Sequence, residues 1–383
     1  MQGFTAIDLI ILIVYLAAVL FAGLHFAKKE MKGKEYFKGD GTVPWWVTSV
    51  SIFATLLSPI SFLSLAGNSY AGSWLLWFAQ LGMLLAIPVT IKFFLPVYSK
   101  LDIDTAYHYL ELRFNSKGLR ILGAVMFIIY QIGRMSIIMY LPCMVLSNLM
   151  GVSVNVLIII MGVIAIIYSY TGGLKSVLWT DFIQGSVLLI GVTFGLIFLL
   201  SHIDGGLRAI FHEFTAGGKF LAADQPIFDP NILKDSVFLL IVGAGFNTMG
   251  SYVSSQDIVQ RFTTTTDTKK LNKMMLANGG VKSAYEWFNG FMGLVLGILI
   301  GTFILGAFTK VANTFGAVLA FIAASGVMVY IKYFVPAENV SIWSYSIISI
   351  AVSLVVGIPA NIIWRKVKGD NSKPAQYTTI YKD

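Results

Sequence analysis

Phe53-Ala54-Thr55-Leu56-Leu57-Ser58-Pro59-Ile60-Ser61 interrupts an apolar run that extends over about residues 45–69. A proline and clustered hydroxyls fall where a membrane-crossing helix would lie deepest. Proline has no N–H to donate, so it frees the carbonyl four residues back. Discontinuous helices at midplane use freed carbonyls to hold small cations and freed amides to hold anionic groups. A plain proline kink solvated by Ser58 is the alternative.

The rest of the chain supplies the membrane setting. Of 383 residues, 57% are hydrophobic and 12% charged, and the mean hydropathy is +0.78. Soluble domains carry about 25% charge, and a globule of this size has too much surface to cover with so little. Transmembrane barrels alternate in segments of about ten residues, whereas the apolar runs here last about 20 or more, so helices are the spanning element. Ten spans are predicted, at about 5–27, 45–69, 74–98, 119–149, 153–171, 180–201, 233–257, 285–308, 313–334 and 342–364.

Charge then sets the orientation. The net +8 comes from short basic loops beside apolar runs, the pattern of the positive-inside rule, and does not point to nucleic acid. Lys/Arg residues crowd 28–38, 100–120, Lys175 and 261–282, the loops after spans 1, 3, 5 and 7, which places the N-terminus outside. Ten spans would then leave Arg365, Lys366, Lys368 and Lys373 on the wrong side. An odd number of helices is missing, or one late segment does not span. The join at Ala277-Asn278-Gly279-Gly280-Val281-Lys282-Ser283 reads as a short link.

Charge within the spans is rarer and more telling. Lys92 and Lys332 sit where they can snorkel, but Arg134 falls midway along span 4. An arginine there costs at least a few kcal/mol on insertion scales, so it should face a polar cavity. Its two-pronged fork suits a carboxylate ligand; a structural pair with a buried acid such as Asp181 is the alternative. Asp181 reads either as a cap at the start of span 6 or as a ligand to a hard cation. Span 7 carries Gly243, Gly245, Asn247, Gly250, Ser251, Ser254 and Ser255 at membrane depth, and Gly293, Gly297 and Gly301 read as a helix-packing stripe. The sequence holds no GxSxG, HExxH or P-loop, and Cys143 is its single cysteine, so neither an enzyme nor a disulfide framework is expected.

The run Tyr170-Thr171-Gly172-Gly173-Leu174-Lys175-Ser176-Val177-Leu178-Trp179-Thr180-Asp181-Phe182-Ile183-Gln184 resembles the hallmark of the sodium:solute symporter family. Tyr36-Phe37 with Gly39, and Ser254-Ser255-Gln256-Asp257-Ile258-Val259-Gln260-Arg261, agree with it. Within that family Gln80, Ile132-Gly133-Arg134 and the Ser58/Ser61 pair resemble the bacterial sialic-acid transporters.

The resemblance implies an all-α integral membrane fold of two inverted five-helix repeats with a lead-in helix and trailing helices. Mapped here, 1–43 is the lead-in helix and basic loop, 44–202 the first repeat, 203–283 the first helix of the second repeat with flanking loops, 284–310 its last helix, and 311–383 the trailing helices and tail. The second repeat is incomplete: about three helices have no counterpart, an odd number, as the charge count requires. Arg134 would clamp a sugar acid's carboxylate, Gln80, Ser58 and Ser61 would bond its hydroxyls, and Phe246 would pack beside it. The carbonyls of Ala54 and Leu57 would hold Na⁺, and Asp181 matches a position tied to a second Na⁺. Leu56 departs from the family, sitting where relatives carry a hydroxyl residue.

The function this implies is sodium-coupled symport of an organic solute, sialic acid foremost, at the plasma (inner) membrane, with Na⁺ co-transported and no organic cofactor. The lipid bilayer is the other partner. The missing helices include the one whose serines complete the main sodium site, so the expectation is that coupling is lost in this shortened chain. Another sugar or organic acid, a non-transporting remnant, and a sensor-like partner are the alternatives.

Overall fold

The structure is a computed structural model that describes residues 5–26, 33, 36, 41–56, 67, 69–70, 72–101, 103–216, 219–222, 225–231, 233–265, 267–281, 289–336 and 339–368. All regular elements among these residues are helical. In chain order they are α1 (Ala6–Phe26), α2 (Trp45–Leu56), α3 (Leu75–Lys100), α4 (Ala106–Phe114), α5 (Lys117–Met150), α6 (Val154–His202), α7 (Gly206–Ala216), α8 (Val237–Ser254), α9 (Gln256–Phe262), α10 (Thr268–Val281), α11 (Asn289–Phe308), α12 (Thr314–Phe334) and α13 (Tyr345–Lys368). Seven of the described helices are long and apolar enough to cross a membrane, and two shorter apolar stretches, Val154–Ile167 and Leu296–Phe308, accompany them.

Local chemistry sets the helix ends. Thr5 and Asp8 form a reciprocal capping box: Asp8 N donates to Thr5 Oγ1 at 3.3 Å and Thr5 N to Asp8 Oδ2 at 2.7 Å. Thr105, Ser236 and Asn313 cap α4, α8 and α12 by accepting from the backbone N–H three residues on. Asn115 ends α4 in the left-handed region that asparagine tolerates.

α3 is not a regular rod. It opens with a 3₁₀ turn at Leu75–Phe78, carries Pro88 inside, and widens to a π turn at Thr90–Phe94. A proline that withholds its donor is a cause of such a register change.

α6 departs from the expected pair of separate spans. Helix runs from Val154 to His202 with one break, at Gly173 (φ 56°, ψ −160°). Only glycine adopts that conformation readily, and a Cβ there would also meet the Tyr36 carbonyl oxygen at 2.7 Å. Two members of the hallmark pattern are thus in direct contact, and Tyr36 Oη donates to the Tyr170 carbonyl at 2.8 Å.

The chain divides into two compact units, Met1–Ser64 with Gly133–Gly217, and Leu65–Ile132 with Gly218–Asp383. In the first, α1 and α2 both pack on α6. Ser176 Oγ donates to the Gly23 carbonyl at 2.6 Å, pinning α1 to α6, and Val47 of α2 buries against Leu174 and Leu178. The outer faces of α1 and α6 stay apolar and exposed, as helices facing hydrocarbon should.

In the second unit α8 is the central helix, 72% buried against 11% for α1. It packs on α3 and α11, and α13 packs on both α11 and α12. The α3–α8 crossing is so close that a Cβ on Gly82 would sit 1.8 Å from the Ile241 carbonyl oxygen. Gly297 and Gly301 of α11 face Ser349 and Ser353 of α13, small residue against small residue.

Two local expectations change. Ala277 to Val281, read as part of a link, form the last turn of α10; 282–288 lie outside the described residues. The acidic stretch after α6, read as a loop, contains α7. Leu207, Ile210, Phe211 and Phe214 share one face of α7, and Leu207 and Phe211 are exposed, the pattern of a helix lying in a membrane interface.

Candidate functional site

The site residues expected from sequence divide between the two units. In the first, Arg134 of α5, Asp181 of α6 and Ala54 of α2 gather around the last two turns of α2. Arg134 Nη2 donates to the Thr55 carbonyl at 2.6 Å. In a continuous helix that oxygen would accept from the N–H of residue 59, but residue 59 is proline and has none. The guanidinium therefore takes a carbonyl that the sequence leaves without its helical donor.

Asp181 lies one turn away along α2. Ser51 Oγ donates to Asp181 Oδ2 at 2.7 Å, and Thr55 Oγ1 donates to the Ser51 carbonyl at 2.8 Å. Asp181 sits more than two turns past the Gly173 break and so is inside a helix rather than at its N-terminus. The capping alternative fails for that reason, because the dipole acts only within the first turn. Ala54 packs against α6 at Gly185, whose absent side chain makes the room: a Cβ there would meet Ala54 Cβ at 3.3 Å.

In the second unit Gln80 is buried on α3 and Phe246 is half-buried on α8. Phe246 lines a cavity of about 410 Å³ between α3, α8 and α11, together with Leu85, Val89, Phe93, Ile241 and Phe308. All its lining residues are apolar, so it offers contact area and no partner for a hydroxyl or carboxylate. Leu57, Ser58 and Ser61 lie outside the described residues. Among the described residues no three His, Cys, Asp or Glu side chains cluster as a metal site. One carboxylate with hydroxyl and carbonyl oxygens suits a hard cation rather than a transition metal.

Sequence reasoning passes over Ser51 and Thr55, which stand between the two charged groups. A signal exists: Ser51, Thr55 and Ser58 share a helical stripe at i, i+4 and i+7. It also passes over Arg113, read as one of the loop bases, which the structure buries completely.

Seven described helices of membrane-crossing length, with an arginine and a carboxylate held against α2, define a multi-pass helical membrane protein. A sequence model of the sodium:solute symporter family matches residues 36–333, and the chain belongs to that family. The sodium/sialic acid symporter NanT of Aliivibrio fischeri is 31% identical over 277 residues, 72% of this chain and 54% of its own length. SiaT of Proteus mirabilis is 34% identical over 278 residues, 73% and 55% respectively. The sodium-coupled monocarboxylate transporter 1 of Xenopus laevis is 30% identical over 265 residues, 68% of this chain and 42% of its own length.

The chain thus spans about half the length of the curated relatives it matches. A solved structure of a Na⁺-coupled sialic acid symporter in a substrate-bound outward-open state superimposes with a TM-score of 0.83 and 26% identity. That match covers 94% of this chain and 98% of the other.

Proposed function

We propose that this chain is a sodium-coupled symporter of a sialic acid in a plasma (inner) membrane, with its N-terminus outside. The observation that carries the reading is Arg134, a permanent cation midway along a span-length helix, whose Nη2 donates to the Thr55 carbonyl. A guanidinium presents five N–H donors in a planar fork, the geometry that a carboxylate matches. A neutral sugar would give no return for the cost of placing that charge.

Within the first unit, Ser58 and Ser61 would bond the solute's hydroxyls, and Asp181 with the Ala54 and Leu57 carbonyls would hold Na⁺. The relatives named as sodium/sialic acid symporters support the same choice of solute.

A second reading is favoured by the matches that cover only 54% and 55% of those relatives. If the uncovered part includes the serines of the main sodium site, the chain binds the sugar acid and does not couple it to Na⁺. Measuring N-acetylneuraminate affinity and Na⁺-gradient-driven uptake on one preparation separates the two. Binding with uptake supports symport, binding without uptake supports the second reading, and neither, in folded protein, rejects both.

A further inference from the structure

Ser51 is fully buried. Its one hydroxyl hydrogen goes to Asp181 Oδ2, 130 residues away in sequence. Its backbone carbonyl accepts from Thr55 Oγ1, and the Thr55 carbonyl accepts from Arg134. The three contacts, at 2.7, 2.8 and 2.6 Å, join the anion on α6 to the cation on α5 through the last turns of α2.

We propose that Ser51 is a positioning residue: it orients the Asp181 carboxylate for a cation and links that carboxylate's state to the Arg134 guanidinium. The inference rests on the reading that Asp181 holds Na⁺ and Arg134 the sugar acid. A carboxylate has about four lone-pair sites. The Ser51 hydrogen bond to Oδ2 restricts the rotation of the group and so biases the direction its oxygens face. A cation drawing on that carboxylate weakens its pull on the Ser51 hydroxyl, and Ser51 sits one helical turn before the carbonyl that anchors Arg134. Any such coupling is reciprocal, so a link from cation to arginine is also a link from sugar acid to cation.

The test uses the full chain in detergent, with N-acetylneuraminate as the titrant and NaCl exchanged for KCl at constant ionic strength. The readout is the ratio of the sugar acid's Kd without Na⁺ to its Kd at saturating Na⁺. Ser51→Ala is expected to reduce that ratio about tenfold, Ser51→Thr to keep it, and Ser51→Ala with Asp181→Asn to reduce it no further than Asp181→Asn alone. A purely structural role would shift both Kd values together and leave the ratio unchanged; that result overturns the proposal.

A second arm needs no sugar. NaCl should raise the wild-type unfolding temperature relative to KCl, and Ser51→Ala should lose that difference. Sodium stabilisation lost in Ser51→Ala, without sugar binding in either protein, supports the Ser51–Asp181 link and rejects only the sialic-acid reading. No sodium-specific stabilisation of the wild type, or its retention in Ser51→Ala, overturns the proposal.

Discussion

Arg134 Nη2 and the Thr55 carbonyl are 2.6 Å apart, and the carbonyl is the one that Pro59 cannot serve. The proline and the arginine are therefore complementary: one has no N–H to give that carbonyl, the other supplies a donor from a different helix. Replacing Arg134 with Ala should lower stability by about 1–3 kcal/mol through the unsatisfied oxygen and abolish measurable sugar-acid binding. Arg134→Lys should keep most of the stability yet weaken binding at least about tenfold, because an ammonium lacks the planar fork. Calorimetric titration beside a thermal unfolding scan checks both halves.

Arg113 is fully buried, and three backbone carbonyls hold its guanidinium. Its Nε donates to Gly306 at 2.8 Å, Nη2 to Thr309 at 2.6 Å and Nη1 to Ala312 at 3.3 Å. These oxygens lie at the C-terminal end of α11 and in the turn beyond it, where the helix dipole favours a cation. Arg113→Met should cost about 3 kcal/mol in an SDS-unfolding titration, with no change in ligand affinity once the protein is folded.

Glycine at two close approaches gives a graded test. Gly82→Ala drives a Cβ into the Ile241 backbone and should destabilise by at least about 2 kcal/mol. Gly173→Ala adds the strain of a positive φ to contact with Tyr36 and should cost at least about 1–2 kcal/mol. Gly191 in α6 has nothing within 4 Å of a built Cβ, so Gly191→Ala should be neutral or stabilising by up to about 1 kcal/mol. Unfolding temperatures should be lowest for Gly82→Ala, intermediate for Gly173→Ala and highest for Gly191→Ala.

Glu111 on α4 lies outside the membrane-crossing helices. The Arg120 hydrogen bond at 2.9 Å holds its carboxyl below the ordinary value of 4.5. A value lowered by folding contributes stability above the unfolded value and loses it as pH falls through the folded one. Glu111→Gln should therefore lower the unfolding temperature slightly at about pH 7, and the gap from wild type should close as pH falls below 4.5. The pair is solvent-facing, so the gap should also shrink in high salt.

Much of this is legible in the residues. Apart from the pair that α6 joins and the run at 45–69, apolar run length places the described spans within a few residues of their helices, since a helix satisfies its own backbone in hydrocarbon. The depth of Arg134 announces that it needs partners. What sequence hides is which partners: the Thr55 carbonyl is a backbone group, and nothing in a composition reading points to it until Pro59 is matched with an arginine far along the chain.

Asp181 misleads because a glycine pair ahead of it looks like the end of one span, whereas a single positive φ lets α6 bend and continue. Arg113 reads as a loop base because positive charge beside a span is ordinarily a flank. α7 escapes notice for the opposite reason, since its apolar residues are few and are interleaved along the sequence with Arg208, His212 and Glu213 on its other face.

Whether the arginine held on the Thr55 carbonyl binds a sugar acid for sodium-driven transport is tested most directly by uptake into proteoliposomes. Purified chain is reconstituted, an inward Na⁺ gradient is imposed, and labelled N-acetylneuraminate inside the vesicles is counted, with Arg134→Ala and a KCl gradient as controls. The predicted result is accumulation that requires both the Na⁺ gradient and Arg134. Folded protein that accumulates no label above the Arg134→Ala vesicles would contradict it.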